Sequence, residues 1–146
     1  MIVLNDPAHP IEGDTAEIMT WRRVYSGHPE QAPKIRHFIA CLLADFPGVD
    51  DIVNAAAELV ANALIHTRSG KPGGHLTIEV RRWTHCCVSL AVTDQGSPGQ
   101  PHVPERADDG LFEETGRGLM ILDATSTCWG WTGDTRGRTV TALFIG

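Results

Sequence analysis

Residues 50–67, read DDIVNAAAELVANALIHT, constrain the fold of this chain more than any other stretch. Apolar residues recur at Ile52, Ala56, Leu59 and Ala63, and Val53, Val60 and Leu64 widen the stripe. This is the period of an amphipathic helix with one face turned to a core. Glu58 and Asn62 stand one turn apart, so a carboxylate and an amide meet on one edge of that helix, beside the stripe. Taken alone, such a pair is more often two solvated residues on a polar flank. Three further stretches shift that balance by following it in order: VTDQG at 92–96, GRGL at 116–119 and GRTV at 137–140.

At 146 residues the chain fits one domain with one core, which buries about two-thirds of the surface the unfolded chain exposes. The formal net charge is -6, and Lys and Arg are scattered rather than clustered. A protein held on nucleic acid by bulk charge is therefore disfavoured, and no direct nucleic-acid partner is expected. Cys41, Cys86, Cys87 and Cys128 form no CxxC knuckle, and on a strand Cys86 and Cys87 point to opposite faces, so a zinc site is disfavoured. They are expected to be buried thiols of a reducing cytosol. No run approaches the ~20 apolar residues of a membrane span, so a soluble, cytoplasmic protein with no membrane partner is expected.

Residues 1–16 carry prolines, acids and little periodicity and are expected to form a flexible N-terminal arm, with residues 17–146 as the single domain. Residues 18–25 alternate as an edge strand. Ile35, Phe38, Ile39, Leu42, Leu43 and Phe46 fall at helical spacing, predicting a first helix ended by Pro47 and Gly48. After the 50–67 helix comes a loop, RSGKPGG. Leu76, Ile78 and Val80, then Val88, Leu90 and Val92, alternate with polar or small residues as two antiparallel strands joined through 83–85. From 95 to 115 regular pattern vanishes, and a segment of that length is more often a lid than a plain connection. A short helix at 119–127 and two strands, near 128–132 and 139–145, close the chain. The order implies a two-layer α/β sandwich with a mixed, mainly antiparallel sheet and helices on one face.

Gly116 and Gly118 bracket Arg117 at the start of the short helix. Glycines let a chain approach a ligand closely, and free N–H groups at a helix N-terminus favour an anion, though Gly-x-Gly is as often a simple helix start. Asp94 ends an apolar strand just before Gly96, where its carboxylate serves equally as an acceptor for the amine of a base or as a turn former. Trp129 and Trp131 alternate on one strand face as packing or partner residues. His66 reads as a helix-end residue and Arg36 as a solvated one.

In order, ELVANALIHT, VTDQG, GRGL and GRTV resemble the four motifs of the Bergerat-fold (GHKL) ATP-binding superfamily, from residue 18 to the C-terminus. Within it the chain is similar to stand-alone anti-sigma-factor serine/threonine kinases and their actinobacterial relatives. The resemblance implies ATP and Mg2+ as cofactors. It makes Glu58 the catalytic residue that orients or deprotonates the attacking hydroxyl, and Asn62 the ligand of a Mg2+ bridging the phosphates. Asp94 would accept from the adenine amine, and Gly96 would let the base lie on the backbone. Gly116, Arg117, Gly118 and Leu119 would surround the phosphates, and Thr139 would help fix adenine through a water. It further implies an anti-sigma antagonist or a sigma factor as partner, and a possible homodimer. The acidic run Glu113, Glu114, ahead of GRGL where kinases of this kind often carry a basic residue, leaves a second expectation: a nucleotide-sensing regulator that binds a partner without phosphoryl transfer.

Overall fold

The computed structural model describes residues 18–98 and 117–146, with the backbone alone at 117 and 118. The expected arm at 1–16, most of the lid and Gly116 lie outside the described residues. In chain order the elements are β1 (Met19–Ser26), α1 (Gln31–Leu42), α2 (Val49–His66), β2 (His75–Thr84), β3 (Cys87–Asp94), α3 (Arg117–Thr125), β4 (Cys128–Asp134) and β5 (Gly137–Ile145). The strands form one sheet in the order β1-β2-β3-β5-β4. All four pairings among the described residues are antiparallel. The result is the two-layer α/β sandwich expected from the sequence, with β1 on the edge as its pattern implied.

Strand alternation decides what faces the helices. Leu76, Ile78 and Val80 of β2, Val88, Leu90 and Val92 of β3, and Val140, Ala142 and Phe144 of β5 are buried on one side. Ile35 and Ile39 of α1, Leu119 and Leu122 of α3, and the α2 stripe close over them. Ala55, Ala56 and Ala63, all buried, keep the inner face of α2 thin enough to sit close against the strands. Helices α1 and α3 each pack on α2. Trp129 and Trp131 lie across from Ala142 and Val140 and pack on the same core.

Helix α2 starts without a side-chain cap but carries Asp50 and Asp51 in its first turn, where the helix dipole favours them. It stops at Thr67, whose backbone turns extended and whose hydroxyl donates to the Ala63 carbonyl at 2.6 Å while accepting from the Ser69 N–H at 3.1 Å. Helix α1 ends at Leu42, four residues before the expected Phe46. Leu43 and Phe46 still reach the core from the turn that follows, so the apolar spacing runs on after the helix has stopped. Arg82, nearly buried, ties that turn to β2 through a two-pronged contact with Asp45 at 2.7 and 3.1 Å.

The thiols depart from expectation. Cys41 and Cys86 are exposed, and Cys87 and Cys128 are half-buried, all four free. Cys86 lies in the β2–β3 turn rather than on a strand, so it has no inner face to occupy. No helix among the described residues is long and apolar enough to cross a membrane.

Candidate functional site

Three elements end at one edge of the sandwich. Just past α2, the Arg68 N–H donates to the Gly96 carbonyl at 2.9 Å, and the Gln95 N–H donates to the Ser69 hydroxyl at 2.9 Å. The Arg68 guanidinium reaches the carbonyls of Gln95 and Thr135, adding the β4–β5 turn to the same knot. The C-terminal half of α2 therefore lies over the end of β3 that carries Asp94. Helix α3 comes back to this edge from the far side. The Thr127 N–H, just after α3, donates to Leu143, which pairs with Ser89, about 17 Å of strand away from Asp94. From there α3 doubles back over β4, with the Trp129 indole donating to Asp123 at 3.4 Å. Its nine residues span about 13 Å, so its N-terminus points back to the Asp94 edge.

Glu58 and Asn62 occupy the flank of α2, both half-buried, one turn apart. Among the described residues neither side chain makes a hydrogen bond, and no group of three His, Cys, Asp or Glu side chains converges as a metal cage. A magnesium ion at Asn62 would thus draw most of its oxygens from water and phosphate, the usual manner for that ion.

Asp94 is the most perturbed group of this edge. Burial pushes its carboxyl pKa up, while the N–H of Gly96, the charge of Arg138 and the N–H of Arg138 pull it back. The Gly96 N–H reaches Oδ1 at 2.6 Å. A half-buried carboxylate held by backbone donors, with one more oxygen to offer, suits an exocyclic amine.

Other expected residues are placed differently. Thr139 pairs with Thr93, and the two hydroxyls bond each other at 2.8 Å. Alternation puts both on the sheet face away from the helices, because Val92 and Val140 point inward. Thr139 is thus on the wrong side of the sheet from Asp94 to share a water with it. The residue across from Asp94 on the inner face is Arg138, 6% exposed, which sequence reasoning missed. Its guanidinium donates to the Ser97 hydroxyl at 3.1 Å and the Ser97 carbonyl at 2.8 Å, and its buried Nε has no partner.

Gly96 is required by the turn packed against it. Its φ is +79°, and a Cβ there would stand 2.3 Å from the Thr135 carbonyl oxygen, so the β4–β5 turn fills the space a side chain would need. Leu119 is buried in the core, so its side chain packs and does not face a ligand. Arg117 and Gly118 form the first turn of α3, which brings their backbone to this edge.

A profile of the histidine kinase-like ATPase domain matches residues 25–144. The chain belongs to that family. The match runs from the end of β1 almost to the end of β5, so it takes in the three helices and every strand of the sandwich except most of β1. As a histidine kinase-like ATPase domain, the chain has the GHKL fold that its motif order resembles, and the edge carrying Asp94, the α2 flank and the start of α3 is its candidate ligand site. Among curated proteins no relative matches the chain.

Proposed function

We propose that this ATPase-family domain binds ATP with Mg2+ at the Asp94 edge and acts as a serine/threonine protein kinase of the anti-sigma type. In this reading it phosphorylates a small antagonist protein and, when unopposed, sequesters a sigma factor. The observation that carries it is that the C-terminal end of α2, the helix of Glu58 and Asn62, is tied by hydrogen bonds to the end of β3 that carries Asp94, with α3 packed on α2. The residues fit such a ligand. Asp94 would accept from the base, Asn62 would hold the magnesium ion, and the N–H groups of α3 would meet the phosphates. Bound Mg2+ would supply charge neutralisation at the phosphates. Glu58, one turn from Asn62 on α2, would orient or deprotonate a hydroxyl, help worth about 10² to 10⁴ in rate.

The test is transfer of labelled phosphate from Mg·ATP to neighbour-encoded candidate antagonists, with Glu58→Ala as control. Transfer that depends on Glu58 supports the kinase. A second reading, a nucleotide-sensing regulator without transfer, is favoured by the acidic Glu113 and Glu114 ahead of Gly116. It predicts partner capture that changes with ATP while no label moves. A possible homodimer is checked in the same preparations by sedimentation.

A further inference from the structure

Arg138 is a buried cation with an odd set of partners. Both contacts of its guanidinium among the described residues are to one neutral residue, Ser97, through Nη1 and Nη2. Its charge acts on the neighbouring Asp94 carboxylate, but among the described residues no carboxylate lies within ion-pair distance of it. A buried charge held this way is costly, and a buried N–H without an acceptor adds to the cost. Such a group persists where something else completes it, and its position says what that is. Arg138 and Asp94 are cross-strand partners on the inner face, where directly opposed side chains start about 5 Å apart. Side by side, they offer one acceptor and one donor to whatever lies against them.

We propose that Arg138 is a specificity-determining residue of the base pocket. Its guanidinium, which keeps a further N–H on each Nη beyond the Ser97 contacts, donates to the ring nitrogen next to the exocyclic amine of adenine, N1, while Asp94 accepts from the amine itself. The inference rests on the nucleotide reading above and goes beyond it, because it assigns the base edge that is read and the residue that reads it. An amine donor beside a ring acceptor is the order adenine presents. Hypoxanthine inverts it, with a carbonyl facing Asp94 and an N–H facing the guanidinium, so both contacts fail together. The same side chain also holds Ser97, three residues beyond Asp94, through its hydroxyl and its carbonyl.

The experiment is calorimetric titration of the intact protein with Mg·ADP, with the 1-deaza and 7-deaza analogues of ADP, and with inosine diphosphate. The wild type is expected to bind 1-deaza-ADP at least about tenfold more weakly than ADP, the 7-deaza analogue within threefold of ADP, and inosine diphosphate most weakly. In Arg138→Met the ADP to 1-deaza-ADP ratio is expected to fall to near one. A residue that merely supports the fold would weaken both nucleotides alike and leave that ratio intact, which would overturn the proposal. If Arg138→Met does not fold, the wild-type ratio decides alone, and a value near one overturns it. Tight ADP binding with no preference for N1 sinks this inference and leaves the nucleotide reading standing, whereas no binding of any nucleotide sinks both.

Discussion

Replacing Gly96 by alanine separates two costs that are usually confounded, because Gly73 supplies a matched control. Both glycines have φ of +79°. A Cβ on Gly73 meets nothing within 4 Å, whereas one on Gly96 meets the Thr135 carbonyl oxygen at 2.3 Å and the Arg136 carbonyl carbon at 2.8 Å. Gly73→Ala then carries only the left-handed backbone penalty of about 1–2 kcal/mol. Gly96→Ala carries that penalty plus overpacking against backbone, about 1–3 kcal/mol more, for a total of about 2–5 kcal/mol. For a domain of this size each kcal/mol lowers the melting temperature by about 2–4 °C. Urea unfolding of the two variants beside wild type measures the difference, with the slope checked to be unchanged. Equal losses in the two variants would refute the assignment of Gly96 to the β4–β5 turn. A Gly96→Ala protein of normal stability that no longer binds nucleotide would restore the expectation that the base itself needs the glycine.

Asp94→Asn should stabilise the ligand-free protein at neutral pH and yet abolish the thermal shift produced by Mg·ADP. Its raised carboxyl pKa means that the folded state holds the proton more tightly than the unfolded chain, so stability falls as pH rises through the folded value and asparagine removes that loss. Asp45 has the opposite sign. The Arg82 fork holds its carboxyl down, so its contribution is present above the unfolded pKa and is lost as pH falls through the depressed folded one, and Asp45→Asn should flatten the acid limb of a stability–pH curve. Thr139→Val should cost about 1 kcal/mol by stranding the Thr93 hydroxyl, with nucleotide affinity unchanged within twofold, and a large affinity loss would return Thr139 to the site. Glu58→Ala should leave nucleotide binding in place while transfer to an antagonist falls by about 10² or more.

The layers of this fold were readable because they are written in periodicity. The α2 stripe and the alternation of β2, β3 and β5 place the inner faces without any knowledge of contacts. Helix α1 was overextended because Leu43 and Phe46 serve the core from a turn, and apolar spacing does not report where backbone hydrogen bonding stops. The candidate residues on α2 and at Asp94 stand out in the sequence because a polar residue there flanks or ends an apolar pattern, and the fold ties the end of α2 to the end of β3 that carries Asp94. On β5 the letters and the alternation point to neighbouring residues. Matching letters favoured Thr139, although the inward run Val140, Ala142 and Phe144 already assigns 138 to the inner face and 139 to the outer one. The role of Gly96 depends on a contact with Thr135, nearly forty residues away, which no local pattern encodes. The exposed thiols of Cys41 and Cys86 were missed because cysteine is assigned to cores by habit of composition rather than by position.

Where a nucleotide sits is answered most directly by titrating Mg·ADP into isotope-labelled protein and following backbone amide resonances. Saturable shifts should concentrate at residues 58–70, 94–98, 117–119 and 138, with the exposed edge of β1 and the outer-facing Ser89 and Thr141 unmoved. Shifts centred on the outer sheet face, or none at millimolar nucleotide, would contradict the convergence of α2, β3 and α3 on one ligand.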